Sequence, residues 1–265
     1  SLDDEPSHWV IETAIAALTR LTHRGAVAAD GKTGDGCGLL MKQPDEFFRI
    51  KAGELGFDLA QRFAVGMVFL NREKAVAAMT RNAITDAIRE SGLEVAGWRE
   101  VPVEPSVCGE QALQTLPRIE QVFVNARSGM QRGTFNRQLF LARRRAEKRL
   151  GDSDPSAYVA SLSSVTICYK GMFMPGALAD FYPDLKDPAM ASSVCLFHQR
   201  FSTNTLPQWR LAQPFRFLAH NGEINTIQGN RNWALARTAN FRSDKLPDIS
   251  DLDPVISLTG SDSSN

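Results

Sequence analysis

The sequence predicts a single α+β domain, built as a layered arrangement of sheets and helices. Three observations carry this. Runs at 64–70, 95–101, 119–124, 158–169, 193–201 and 215–220 are apolar or β-branched and of strand length. Only a few helical patterns are interspersed among them, and they do not alternate strictly with the strands, which disfavours a doubly wound parallel sheet. Across the 265 residues there is no internal repeat, no low-complexity linker and no shift of composition that marks a boundary, so 1–265 reads as one domain.

The first element is a helix. Ser7 is its expected N-cap, and Val10, Ile11, Ala14, Ile15, Leu18 and Leu21 recur at helical spacing until His23-Arg24-Gly25 ends it with basic residues suited to a helix C-terminus. A turn-rich stretch, Asp30-Gly31-Lys32-Thr33-Gly34-Asp35-Gly36-Cys37-Gly38, leads to a short strand at 39–41. The buried strand at 64–70 is followed by a helix over 73–90, with Val76, Met79, Ile84 and Ile88 inward and Gly92 beyond its end. A helix is expected over 135–150, closed by Gly151, and a last one over 224–239.

Thirty Lys+Arg balance thirty Asp+Glu, which excludes a globally basic nucleic-acid binder. No apolar run approaches the roughly 20 residues of a membrane helix, and Ser1-Leu2-Asp3-Asp4-Glu5 is not a signal peptide, so the expected location is cytoplasmic. The four cysteines, Cys37, Cys108, Cys168 and Cys195, have neither disulfide-framework nor zinc spacing. Cys168 and Cys195 read as core strand residues, and Cys37, in a glycine-rich turn, as the one nearest solvent. Arg143-Arg144-Arg145 with Lys148 and Arg149 reads as a solvated helix face, against a patch for RNA or an acidic partner. Gly34-Asp35-Gly36-Cys37-Gly38 lacks the Gly-Lys-Ser/Thr ending of a phosphate loop. Trp209 and Trp233 read as packing residues. His198 and His220 are expected to orient loops.

Residues 197–226 are densest in chemistry. Asn221-Gly222 after an apolar run is first a turn signal. The same turn can aim an amide NH₂ and a backbone N–H at one point, the two donors a tetrahedral oxyanion needs. Arg200, at a strand end, can pair with a carboxylate while Thr203 adds a hydroxyl, and Asp262 can take an ammonium. Together these describe a site for the amide of a free amino acid.

At these residues the sequence resembles the class II glutamine amidotransferase domain of glutamate synthases. The match is carried by His23-Arg24-Gly25-Ala26, Thr33-Gly34-Asp35-Gly36, Arg200-Phe201-Ser202-Thr203-Asn204-Thr205, His220-Asn221-Gly222-Glu223-Ile224-Asn225-Thr226 and Ser261-Asp262-Ser263, in family order. The resemblance implies an N-terminal-nucleophile fold, a four-layer αββα sandwich of two antiparallel sheets. It also implies hydrolysis of glutamine to glutamate and ammonia through a cysteinyl thioester, the ammonia passing to 2-oxoglutarate in a separate synthase domain. By the same carry-over Arg200 and Thr203 bind the α-carboxylate, Asp262 binds the α-amino group, Asn221 and Gly222 form the oxyanion hole, and Arg24 lies beside the nucleophile. The family's nucleophile is a cysteine ahead of the stretch matching Ser1-Leu2-Asp3, so Ser1 is out of register for that role. On this reading the 265 residues are the interior of the domain, incomplete at both ends and inactive alone. FMN and an iron–sulfur cluster are implied for the parent protein and no cofactor for this chain. The implied partners are L-glutamine, the synthase domain and a small electron-transfer subunit, with no nucleic acid and no membrane. The competing expectations are a non-catalytic glutamine-binding or interaction domain, and a basic-helix interaction protein.

Overall fold

A computed structural model describes residues 1–151, 153–199, 206–217, 227–246, 249–253 and 255–258. In chain order the elements are α1 (His8–Arg20), β1 (Cys37–Lys42), α2 (Asp45–Glu54), β2 (Phe63–Leu70), α3 (Lys74–Glu90), β3 (Glu94–Glu100), α4 (Glu110–Gln114), β4 (Arg118–Asn125), α5 (Arg132–Leu150), β5 (Tyr158–Ser163), β6 (Thr166–Gly171), α6 (Leu178–Phe181), β7 (Cys195–His198) and α7 (Ile227–Thr238). The strands form two sheets, in the orders β6-β1-β7 and β3-β4-β2-β5, with every neighbouring pair antiparallel.

The alternation along β2 explains the layering. Phe63, Val65, Met67 and Phe69 enter the core shared with Leu39, Met41, Ile167 and Tyr169 of the other sheet. Ala64, Val68 and Leu70 face a second core made with Ala77, Ile84, Ala87 and Ile88 of α3 and Phe135, Leu139, Ala142 and Ala146 of α5. A strand buried on both faces carries apolar residues at every position, which is why 64–70 reads as a continuous run. Helix α1 packs against β7 and contributes Ile11, Ala14 and Leu18 to the first core. The result is the layered α+β sandwich of two antiparallel sheets with helices on them.

Several expectations are corrected. The run 158–169 is two strands in different sheets, broken at Ser164-Val165. There Ser163 Oγ accepts from the N–H groups of Val165 and Thr166, and Asn136 Oδ1 accepts from Ser164 N–H, so side chains take the donors a ladder would use. Helix α2 is additional to the expected elements: Pro44 precedes it, Asp45 and Glu46 suit its first turn, and Phe47, Phe48 and Ala52 are its buried stripe. Ser7 occupies the N-cap of α1 without a side-chain capping bond; its backbone pairs with Ser192 instead. Met79 faces solvent, and Ala77 and Thr80 take the inward positions of α3. Residues 215–217 lie outside any strand, and the remainder of that expected strand, 218–220, lies outside the described residues. Trp209 is packed as expected, but Trp233 is 64% exposed.

The basic run on α5 is solvated only at Lys148 and Arg149, while Arg143, Arg144 and Arg145 are half-buried. Arg143 makes two 2.7 Å bonds to Glu147, Arg144 donates to Glu147 and to the carbonyl of Leu252, Arg145 to Ser91 Oγ, and Lys148 to the carbonyl of Ser250. Arg149 pairs with Glu90 at the end of α3. These cations tie α5 to α3 and to the segment at 249–252.

Candidate functional site

The described motif residues gather at one end of the β6-β1-β7 sheet, where β1 begins and β6 and β7 end. After α1 a short helical turn, Thr22–Arg24, leads into Gly25-Ala26. Residues 26–28 then pair with 33–35: Ala28 N–H donates to the Thr33 carbonyl at 2.9 Å, and Asp35 N–H to the Ala26 carbonyl at 3.2 Å. Asp30 closes the tip of this loop. Its carboxylate accepts from the N–H groups of Lys32 and Thr33, from the Thr33 hydroxyl and from Gln111 N–H. These bonds, the Thr33 hydroxyl first, hold its carboxyl far below the ordinary range. Thr33 Oγ1 in turn accepts from Ala112 N–H, so the loop is fastened to α4.

Close approach dictates the glycines here. A Cβ on Gly25 would lie 2.2 Å from Gln199 Nε2 and 3.0 Å from Asp35 Oδ1, and one on Gly34 would lie 2.6 Å from the Phe173 carbonyl oxygen. Gly36 has φ +115°, and its missing side chain leaves room for Ala212. The His23-Arg24-Gly25-Ala26 and Thr33-Gly34-Asp35-Gly36 motifs thus meet Gln199, the residue before Arg200, and the segment at 209–212.

Arg24 is exposed at this end, and among the described residues it has no ion-pair partner. Arg200, Thr203, Asn221, Gly222 and Asp262 lie outside the described residues, as do His220 and the rest of their motifs. Sequence reasoning missed Gln199. It is 6% exposed, and among the described residues its Oε1 has no hydrogen-bond partner. Its position between a strand and the Arg200 motif was the only available signal.

Cys37 reverses its expectation. It is the first residue of β1, fully buried, with its thiol directed at the Phe173 carbonyl 3.5 Å away. Burial, with the Asp35 charge adding to it, pushes that thiol far above its ordinary range. Burial likewise pushes Cys108, Cys168 and Cys195 up to about 11. A thiol so shifted holds almost no thiolate at neutral pH, so none of the four is a poised nucleophile. Ser1 is remote from the motifs. Its ammonium donates to the Ser193 carbonyl at 2.7 Å. Gln199 lies six positions beyond Ser193, roughly 20 Å of extended chain.

The family is settled by comparison. The model of the glutamine amidotransferases of class II matches residues 1–265, and the chain belongs to that family. Among similar proteins, the chain is 43% identical over 267 residues to the glutamate synthase [NADPH] large chain of Azospirillum brasilense, covering 99% of this chain and 18% of that protein. It is 41% identical to the chloroplastic ferredoxin-dependent glutamate synthase 2 of Arabidopsis thaliana, over all of this chain and 17% of that one. It is 40% identical to the glutamate synthase [NADPH] large chain of Bacillus subtilis, over 99% and 17%. The chain therefore spans less than a fifth of the length of these relatives. No helix among the described residues is long and apolar enough to cross a membrane.

Proposed function

We propose that this chain is the glutamine-hydrolysing module of a glutamate synthase, delivering ammonia to a synthase domain of the same full-length protein. The observation that carries the reading is the convergence of the two glycine motifs, Gln199 and the 209–212 segment at one end of one sheet. Both glycine motifs belong to the set on which the resemblance rests.

In this mechanism a cysteine thiolate ahead of Ser1, deprotonated by its own α-amine, attacks the side-chain amide carbon of glutamine. Arg200 and Thr203 hold the α-carboxylate and Asp262 the α-ammonium, fixing the amide at the nucleophile. The oxyanion is met by Asn221 Nδ2–H and Gly222 N–H. Collapse breaks the C–N bond and the leaving nitrogen takes a proton to depart as ammonia. Water then cleaves the thioester, yielding glutamate and regenerating the thiol. In this reading Arg24, which is exposed, lies beside the nucleophile.

The flavin and iron–sulfur cluster belong, in this reading, to other parts of the full-length protein. Cys37, Cys108, Cys168 and Cys195 do not fit a cluster, since among the described residues no three such donors gather. Relatives are named for NADPH and for ferredoxin, and in this reading the electron donor and any small electron-transfer subunit engage those other parts.

Glutaminase assays test this. Protein with an amino-terminal cysteine ahead of Ser1 should hydrolyse glutamine, and the 265 residues alone should not. Asn221→Ala in the active form should lower kcat roughly 10²–10³-fold. A loss below about tenfold removes Asn221 from the oxyanion role, and turnover by the 265 residues that Ser1→Ala abolishes makes Ser1 the nucleophile. The alternative reading is a glutamine-binding domain without chemistry. Calorimetric binding of glutamine without turnover in the cysteine-bearing form would establish it.

A further inference from the structure

Lys170 is fully buried on β6, yet the glutaminase mechanism gives it no task. Its Nζ donates to the carbonyls of Arg210, at 2.9 Å, and Ala212, at 2.6 Å. It also lies 4.7 Å from the ring centroids of both Tyr158 and Phe215. Among the described residues no carboxylate is within ion-pair distance of it. Removing an ammonium from water is costly, and here two carbonyl dipoles and two ring faces replace its hydration.

Three of these four groups come from one short stretch, 210–215. Other contacts hold the same stretch. Trp209 Nε1 donates to the Ala112 carbonyl at 3.1 Å, the Cys168 thiol points at the Pro214 carbonyl at 3.3 Å, and Arg216 donates to the Val159 carbonyl at 2.7 Å. Gly171 and Gly36 clear space for Trp209 and Ala212. The stretch is described as far as Phe217, and Asn221 follows four residues later. Four residues reach at most about 14 Å, so the anchor of this stretch limits how far from it Asn221 can lie.

We propose that Lys170 is a positioning residue for oxyanion stabilisation, acting through the carbonyls of Arg210 and Ala212 on the chain that leads to Asn221. The inference rests on the glutaminase reading. A neutral side chain of similar length fills the same volume but cannot gather two carbonyls, so the effect falls on placement rather than on packing.

The test is Lys170→Met in the full-length, cysteine-bearing protein. Expected are a kcat lowered by about tenfold or more, a KM for glutamine within about threefold, and faster amide exchange confined to residues 208–226. The double variant Lys170→Met/Asn221→Ala should turn over no more slowly than Asn221→Ala alone, because both remove the same stabilisation. A wild-type kcat per folded molecule, an additive double variant, or unchanged exchange at 218–226 overturns the proposal. Should Lys170→Met fail to fold, Phe215→Leu removes one ring face, with the same pattern expected at smaller size and a wild-type kcat overturning it. If Asn221→Ala itself leaves kcat unchanged, Asn221 is not the oxyanion donor and the proposal falls with it; if the cysteine-bearing protein hydrolyses no glutamine at all, the glutaminase reading has failed instead, and the exchange data still judge whether Lys170 places the stretch.

Discussion

The two sheets of this molecule solve different problems. In the four-stranded sheet the central strands β2 and β4 have eight residues each, and β2 is buried along its whole length. Its polar groups are internal ties. Arg99 makes a bidentate pair with Asp184 at 2.7 Å, Gln121 bonds to Arg99 and to the Tyr169 hydroxyl, and Arg81 and Arg118 share Glu120. The three-stranded sheet has strands of four to six residues. At one end it carries the close-approach glycines, the buried Lys170, Gln199 with an unused acceptor, and the exposed Arg24. One sheet holds the fold, and the other spends its end on presenting loops. The division matters because a site needs groups whose bonding is incomplete, and such groups are tolerated only on a frame stabilised elsewhere.

Substitutions can break or sharpen this contrast. The largest effect is expected at Phe123, fully buried and in edge contact with Phe48, where Phe123→Ala should cost about 3–5 kcal/mol in urea unfolding. A loss under about 1 kcal/mol would mean that the four-stranded sheet is not the frame. Asp184→Ala should follow at about 3 kcal/mol, because it strands the Arg99 guanidinium in the core. In the native protein burial, with the Asp184 carboxylate adding to it, holds the Tyr169 phenol protonated well above its usual range. A change indistinguishable from a surface substitution would show that Arg99 reaches solvent when its partner is lost. Arg24→Ala, at the other sheet's end, should move unfolding by less than about 0.5 kcal/mol. In the cysteine-bearing protein it should lower glutamine turnover about tenfold, the size of one modest transition-state interaction. Unchanged turnover would remove Arg24 from the site.

Much of the frame was legible because it follows from local periodicity. The buried run at 64–70 and the helical spacing in 73–90 each report a face, and the structure places β2 and α3 over nearly those residues. What escaped was set by contacts distant in sequence. Whether 158–169 is one strand or two depends on Asn136 and the serine hydroxyls capturing N–H groups. Cys37 read as near solvent because glycines surround it, yet those glycines are there to let Phe173, Ala212 and Lys170 approach, and they bury it. The α5 cations read as solvated because their partners, Ser91, Glu90 and the 249–252 segment, lie far along the chain. Of the candidate site, Arg24 can be placed, while Arg200, Thr203, Asn221, Gly222 and Asp262 rest on their motifs.

The sequence by itself determined the family and the α+β class, since motif order and hydrophobic period are local properties that survive without coordinates. Only the tertiary structure decided that Cys37 is buried and that two distant glycine motifs share one sheet end. It alone showed that a lysine inside a strand grips the chain leading to Asn221. Burial and close approach belong to pairs of segments far apart in the chain, and no single stretch of sequence contains them.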